Sequence, residues 1–136
     1  MTEDRLTLTL VTPERAVLDK VRCDEVTLPG DRGELGILPA HTPLITLLGI
    51  GTVTWKGTSS RGTIAVRGGF AEIAGDVIRI LADAAATKDT IDTAAAAHDK
   101  EAAEARRGTV SGDAELDEAN ADAAYAEARL RVAAGN

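Results

Sequence analysis

Apolar and polar residues alternate over short stretches within the first 86 residues. Leu6, Leu8 and Leu10 are separated by threonines, which is the period of a half-buried β-strand. Further short apolar runs are each bounded by a turn that contains glycine or proline. These runs lie at 26–28, 51–55, 63–66, 70–73 and 77–81. Strands at this spacing predict an all-β sandwich or flattened barrel of about eight to ten strands.

After residue 86 the apolar residues recur at spacings of three and four, which predicts two amphipathic helices. The first is expected to start at an N-cap of Asp89 or Thr90 and to stop at Gly108. Its expected buried face is Ile91, Ala94 or Ala95, His98, Ala102 and Ala105. The expected buried face of the second is Leu116, Ala119, Ala123, Ala126, Leu130 and Ala133. The short loop at Gly112 favours an antiparallel hairpin.

Composition separates the same two regions. Residues 1–86 hold ten of the 13 glycines and all four prolines, whereas residues 87–136 hold 16 alanines. The formal charge is −2 in the first region (nine Lys and Arg, eleven Asp and Glu) and −5 in the second (six and eleven). We therefore predict a sandwich domain at 1–86 and a two-helix domain at 87–136. Because alanine buries little apolar area, the pairing of the helices should be weak and easily exchanged.

Charge and residue usage exclude several classes of function. A net charge of −7 and only three aromatic residues argue against nucleic-acid binding. The single cysteine, Cys23, allows no internal disulfide. Its position beside Arg22 leaves two interpretations, a reactive thiol or a half-buried small residue. The sequence has no apolar run of 18 residues, so we expect a cytoplasmic protein with no membrane-inserted segment.

The segment 33–44, GELGILPAHTPL, carries the strongest candidate chemistry. Glu34 and His41 are residue types used for acid–base catalysis or metal binding. The alternative is a structural role as a stiff loop, in which the prolines fix φ and the histidine forms a hydrogen bond with a backbone group. The glycine-rich stretches at 28–33, 49–51 and 67–69 match neither a dinucleotide fingerprint nor a P-loop. With no nucleophile–base pair and no metal set, an enzyme is the weakest hypothesis.

A long series of motifs resembles one family. The motifs are LPG at 28–30, GELGILP at 33–39, HTPL at 41–44, GGFAEI at 68–73, LAD at 81–83 and RLRVA at 129–133. In this order and spacing they resemble the epsilon subunit of bacterial and chloroplast F-type ATP synthases, which is called delta in mitochondria. The resemblance covers nearly the whole chain.

The resemblance implies a β-sandwich of about ten strands followed by an α-helical hairpin, and a rotor subunit without an active site. Such a subunit binds the gamma subunit and the ring of c subunits and couples proton flow to ATP synthesis. Glu34 and His41 match the family positions that face the c ring. The implied location is peripheral, on the cytoplasmic face of the bacterial plasma membrane.

The family's hairpin also implies regulation. When extended, it reaches the catalytic alpha and beta subunits and blocks hydrolysis. Basic residues would then meet acidic surfaces, and the candidates are Arg129 and Arg131, with Arg106 and Arg107 behind them.

Some family members bind ATP in the folded hairpin through a motif that begins with isoleucine or leucine and aspartate. Ile91 and Asp92 match that motif, but Ala95 stands where it has arginine. A nucleotide sensor is therefore the alternative function, and no other cofactor is implied. A third hypothesis is an adaptor unrelated to the synthase.

Overall fold

The computed structural model describes residues 4–135, in which eight strands precede two helices. The strands are β1 (Leu6–Val11), β2 (Ala16–Cys23), β3 (Glu25–Gly30), β4 (Gly33–Ile37), β5 (Leu44–Leu47), β6 (Ile50–Lys56), β7 (Arg61–Ala74) and β8 (Val77–Ala86). The helices are α1 (Thr93–Arg107) and α2 (Asp113–Ala133). This confirms the predicted fold class, a β-sandwich followed by two helices.

Hydrogen bonding orders the strands β2-β1-β8-β7-β6-β3-β4, with β5 paired to β7 outside this path. The 14-residue strand β7 pairs with β6 along its first half and with β5 along its second. Gly68 and Gly69, at φ +66° and +106°, lie where the partner changes. A Cβ at Gly69 would lie 1.9 Å from the Leu81 carbonyl oxygen, so glycine is required there.

The eight strands of the described residues lie within the eight to ten that the spacing predicts and below the figure of about ten that the resemblance implies. The runs at 63–66 and 70–73, which the turn-like Gly68-Gly69 separates in sequence, both belong to β7. The glycines bend a continuous strand instead of ending it, since β8 pairs with β7 in the same register on both sides of them.

Alternating side chains build the sandwich core. Leu6, Leu8 and Leu10 of β1 are fully buried, as the period of two predicts. They pack with the inward side chains of the other strands, among them Val26, Leu28, Ile37, Val53, Ile64, Val66, Ile73, Ile78 and Ile80. The core is thus made of large aliphatic side chains. Cys23 belongs to it as well, and burial raises the pKa of its thiol to about 11. This contradicts the reactive-thiol interpretation.

Helix α1 begins at a different cap from the one predicted. Asp92 is the N-cap, and its side chain accepts a hydrogen bond from the Ala95 amide at 3.1 Å. The Thr90 hydroxyl instead donates to the Thr87 carbonyl oxygen within the preceding turn. Gly108 ends the helix as predicted, with its N–H bonded back to Ala105 and Arg106.

The predicted buried face is confirmed in part for α2, where Leu130 and Ala133 are partly buried and Leu116 is exposed, and it is wrong for α1. Ala119, Ala123 and Ala126 of α2 are buried. In α1 the buried residues are Ala96 and Ala103, whereas the predicted Ala94, Ala95, His98, Ala102 and Ala105 are exposed. Alanines surround this helix on every side, so its sequence offers little contrast between faces.

A second side of α2 packs on the sandwich. Ala128 and Val132 are buried against Ala65 of β7, with Tyr125 and Ile91 at the edge of this small cluster. Helix α2 therefore contacts both α1 and the strands β6 and β7.

Candidate interaction surfaces of the sandwich and the hairpin

Large apolar side chains are exposed in a row across one face of the sandwich. Leu47 of β5 lies opposite Phe70 of β7, and Phe70 lies opposite Leu81 of β8. Their exposed fractions are 63%, 43% and 47%. Ile45, two residues before Leu47 on the same side of β5, is 70% exposed. We call Ile45, Leu47, Phe70 and Leu81 the apolar row. A contiguous exposed patch of this kind is typical of a protein-binding surface.

Charged residues flank the apolar row. Glu72 lies opposite Ile45 in the β5–β7 register and opposite Arg79 in the β7–β8 register. The Arg79 guanidinium is 3.6 Å from the Glu72 carboxylate. An apolar centre beside an exposed ion pair has the composition of an interface core with its polar rim.

The predicted contact residues are Glu34, which is the second residue of β4, and His41, which follows the strand. Glu34 is exposed on β4 opposite Pro29, and His41 is partly buried in the β4–β5 loop. The His41 Nδ1 is 2.6 Å from the Thr42 carbonyl oxygen. No hydrogen bond or ion pair joins Glu34 to His41 within residues 4–135. The structure therefore gives no support to an acid–base pair, and it agrees with a histidine that bonds a backbone group.

Metal binding has no support either. In the described part of the chain, no three His, Cys, Asp or Glu side chains are grouped as a metal site requires.

One carboxylate, that of Asp122, joins three elements of the fold. Asp122 lies on α2, and its two oxygens meet Arg67 of β7 at 2.7 Å and Arg106 of α1 at 2.8 Å. Hydrogen bonds from Arg106 and then Arg67 lower the pKa of Asp122. The sequence pattern indicates Arg106 as a candidate but neither Asp122 nor Arg67, since Arg67 and Asp122 are 55 positions apart. The arrangement attaches the hairpin to the sandwich by charge.

Arg129 is held inside the hairpin. Its guanidinium lies 3.0 Å from Asp99 of α1 and 4.9 Å from the centre of the Tyr125 ring. Its side chain is only 19% exposed. The Arg67 guanidinium lies 6.0 Å from the centre of the same ring, so two cations approach one aromatic side chain. Burial raises the pKa of the Tyr125 hydroxyl.

The other two predicted arginines lie at the surface. Arg107 contacts Glu104 at 3.4 Å and Asn120 at 3.3 Å, both through exposed side chains. Arg131 is exposed in the last turn of α2. The four arginines therefore differ in the contacts that they make in the folded hairpin. Arg106 and Arg129 join the two helices through ion pairs. Arg107 pairs with Glu104 of its own helix and donates a hydrogen bond to Asn120 of α2, and Arg131 faces solvent.

The two residues predicted for nucleotide binding have structural contacts. Ile91 packs against the buried cluster of Ala65, Ala128 and Val132, and Asp92 caps α1. A separate open cavity of about 380 Å³ lies between the hairpin and the sandwich and is lined by Arg67, Arg106 and Arg129 together with Asp99, Ala102, Asp122 and Tyr125. Three guanidiniums against two carboxylates give it a positive balance.

Among residues 4–135, neither helix is long and apolar enough to cross a membrane.

With this geometry established, comparison with known proteins decides the family. Residues 5–88 match the family described as ATP synthase, Delta/Epsilon chain, beta-sandwich domain. The chain belongs to this family. The ATP synthase epsilon chain of Solibacter usitatus is 41% identical over 132 residues, which cover 96% of both chains. That of Symbiobacterium thermophilum is 38% identical over 129 residues, which cover 95% of this chain and 91% of the relative.

Solved structures agree on the fold of this delta/epsilon chain. A chain in the mitochondrial ATP synthase of Euglena gracilis, solved as an OSCP/F1/c-ring assembly, superposes with a TM-score of 0.80 at 21% identity. The alignment covers 98% of this chain and 84% of that one. A chain from the central stalk and c-ring of the Tetrahymena thermophila enzyme gives 0.62 at 14% identity and covers 98% and 99%. As an epsilon chain, the protein is a non-catalytic subunit.

Proposed function

We propose that the chain is the rotor subunit that joins gamma to the c ring and so couples proton flow to ATP synthesis. Its family membership makes it an ATP synthase subunit. The observation that carries the finer assignment is the apolar row, because a subunit of a rotor must bury part of its surface against a partner. We place it peripherally, at the cytoplasmic face of the bacterial plasma membrane.

Gamma is the partner proposed for the apolar row. Burial of exposed Leu and Phe side chains against a partner contributes about 25 cal/mol per Å² of apolar area. Leu47, Phe70 and Leu81 belong to three adjacent strands, so the surface that they form is rigid and binds without a large ordering cost. The neighbouring Glu72 and Arg79 would set the register of the contact at its rim.

The c ring is the partner proposed for Glu34 and His41. Glu34 is exposed, so its carboxylate is available to polar groups of another chain. Pro39 and Pro43 flank His41 and stiffen the loop. A stiff loop transmits torque with little loss because few backbone angles are free to relax.

The hairpin is proposed as a conformational inhibitor of ATP hydrolysis. In the folded form, Arg106 and Arg129 are occupied by Asp122 and Asp99. Extension would separate these pairs and present the arginines, with Arg107 and Arg131, to the catalytic alpha and beta subunits. The buried Arg129 Nε has no hydrogen-bond partner in the described structure, so the folded form satisfies this guanidinium only in part.

The first experiment measures binding of the full-length chain to gamma and ATP hydrolysis by the gamma-containing catalytic complex. Leu81→Glu places a charge in the apolar row and should abolish gamma binding. Ala16→Glu adds the same charge at an exposed position of β2 and should bind normally. Equal binding by both variants would contradict the assignment of the apolar row. A chain that ends at Ala86 should still bind gamma but should no longer suppress hydrolysis.

A nucleotide sensor remains the second candidate, and the cavity lined by Arg67, Arg106 and Arg129 favours it. Guanidiniums bind phosphate oxygens well. Titration of the full-length chain with ATP separates the two hypotheses. Saturable binding that raises the melting temperature, and that Arg106→Gln weakens, would support sensing. No binding up to millimolar ATP would exclude it.

A further inference from the structure

The β4–β5 loop contains a backbone conformation that its own sequence does not favour. Ala40 has φ +66°, in the left-handed region that residues with a Cβ rarely adopt. It lies directly between Pro39 and His41, so its backbone angles set the direction in which the histidine leaves the loop. Such a conformation persists only where neighbouring groups hold it.

Asp76 is the group that holds it. This residue lies in the two-residue turn between β7 and β8, and its Oδ1 accepts a hydrogen bond from the Ala40 N–H at 2.8 Å. The two residues are 36 positions apart, so the contact joins two separate loops at one end of the sandwich. A hydrogen bond to a carboxylate is stronger than one between neutral groups.

Asp76 is itself fixed from three directions. Its carbonyl oxygen accepts from the Thr7 amide at 2.8 Å, and its Oδ2 lies 3.7 Å from the Arg5 guanidinium. Its neighbour Gly75 takes φ +62°, which closes the turn between the paired residues Ala74 and Val77. The carboxylate that bonds to Ala40 is therefore attached to the rigid hairpin of β7 and β8.

We propose that Asp76 is the positioning residue of the c-ring contact: it holds Ala40 in its left-handed conformation and thereby sets the orientation of His41. This inference rests on the proposed function of His41. The contact transfers the rigidity of the β7–β8 hairpin to a loop that is otherwise ordered by its prolines and by the local contact of His41 with Thr42. In this proposal the effect of Asp76 on the ring of c subunits runs through Ala40.

Three full-length variants test the proposal. Asp76→Ala removes the acceptor for Ala40 as well as the ion pair with Arg5. Asp76→Asn keeps an acceptor oxygen but loses the charge. Arg5→Gln removes only the ion pair and is the matched control. The readouts are amide hydrogen exchange at Ala40 and binding to a detergent-solubilised ring of c subunits in the presence of gamma.

Asp76→Ala should speed exchange at Ala40 and weaken c-ring binding, each by roughly tenfold, the effect of losing a hydrogen bond to a charged group. Asp76→Asn should keep most of the exchange protection at Ala40 and most of the c-ring affinity. Arg5→Gln should leave both quantities close to the parent values. Binding of each variant to gamma alone should be unchanged, which also reports that the sandwich is folded.

Unchanged c-ring binding by Asp76→Ala, with faster exchange at Ala40, would overturn the positioning role. Loss of binding in Asp76→Asn and Arg5→Gln as well would overturn it too, since charge would then be what matters. Failure of the proposed function looks different. In that case the parent chain does not bind the c ring, or His41→Ala binds it as well as the parent does.

Discussion

The sandwich and the hairpin are stabilised in opposite ways. The sandwich completely buries large aliphatic side chains such as Leu8 and Ile80. The hairpin buries alanines, Ala96 and Ala103 on one helix and Ala119, Ala123 and Ala126 on the other, and adds ion pairs at partly exposed positions. The first kind of packing depends little on pH or salt, whereas the second depends on both. A rigid coupling module and a detachable regulatory arm require this difference.

The largest effect is expected in the sandwich core. Leu8→Ala leaves a cavity at a fully buried position and should lower the free energy of unfolding by about 2–5 kcal/mol. Leu116→Ala on α2, where the leucine is 36% exposed, should change it by under about 0.5 kcal/mol. Urea unfolding of both variants measures the comparison. Similar losses would show that the hairpin contributes as much packing as the sandwich.

The second largest effect is expected on the attachment of the hairpin to the sandwich. Asp122→Ala removes the ion pairs with Arg67 and Arg106, and it should weaken attachment by about 1–2 kcal/mol after allowance for their partial exposure. Hydrogen exchange should rise across α1 and α2 while β1 and β8 stay protected.

Asp117→Ala is the control for this prediction, since Asp117 is an exposed carboxylate of the same helix. Equal hydrogen exchange in the two variants would mean that the total charge of α2, and not the contacts of Asp122 with Arg67 and Arg106, attaches the hairpin to the sandwich. Under the proposed function, Asp122→Ala should also inhibit hydrolysis more strongly than the parent chain.

The same contrast explains what could be predicted from the sequence. Leu6, Leu8 and Leu10 predicted their strand because alternation between leucine and threonine is unambiguous. The buried face of α1 was predicted wrongly because alanine is compatible with either side of a helix. The Asp122 bridge and the contact from Asp76 to Ala40 were not predicted, since they join residues 55 and 36 positions apart through charges that are common on any surface.

A smaller effect on the attachment of the hairpin is expected when the pH is lowered. Hydrogen bonds from Arg106 and Arg67 lower the pKa of Asp122 from 3.8, so the stabilisation is fully present above pH 3.8. It is lost as the pH falls through the folded-state pKa, when the carboxylate is protonated. The hairpin should therefore detach in acid before the sandwich core unfolds, with earlier detachment at high salt.

Asp4 provides an internal comparison within the sandwich. Hydrogen bonds from Thr58 and Ser59 lower its pKa to about 2, so its contact with the β6–β7 turn should persist to lower pH than an ordinary carboxylate would allow. Carboxyl NMR titration of Asp4 and Asp122, followed together with amide exchange on α2, measures which of the two contacts is lost first as the pH falls. Asp122→Asn should remove the acid-induced detachment between pH 3.8 and the folded-state pKa. If it does not, another group controls the transition.

The smallest structural effect is expected from Arg131, which makes it the sharpest probe of the arm's proposed role. Arg131→Ala should change the free energy of unfolding by under about 0.5 kcal/mol, because the side chain is exposed. Arg129→Ala should cost about 1 kcal/mol, since it loses Asp99 and the Tyr125 ring. Both should reduce inhibition of hydrolysis if the extended arm uses its cations. A loss of inhibition with Arg129→Ala alone would mean that Arg131 is not among the cations that the extended arm uses.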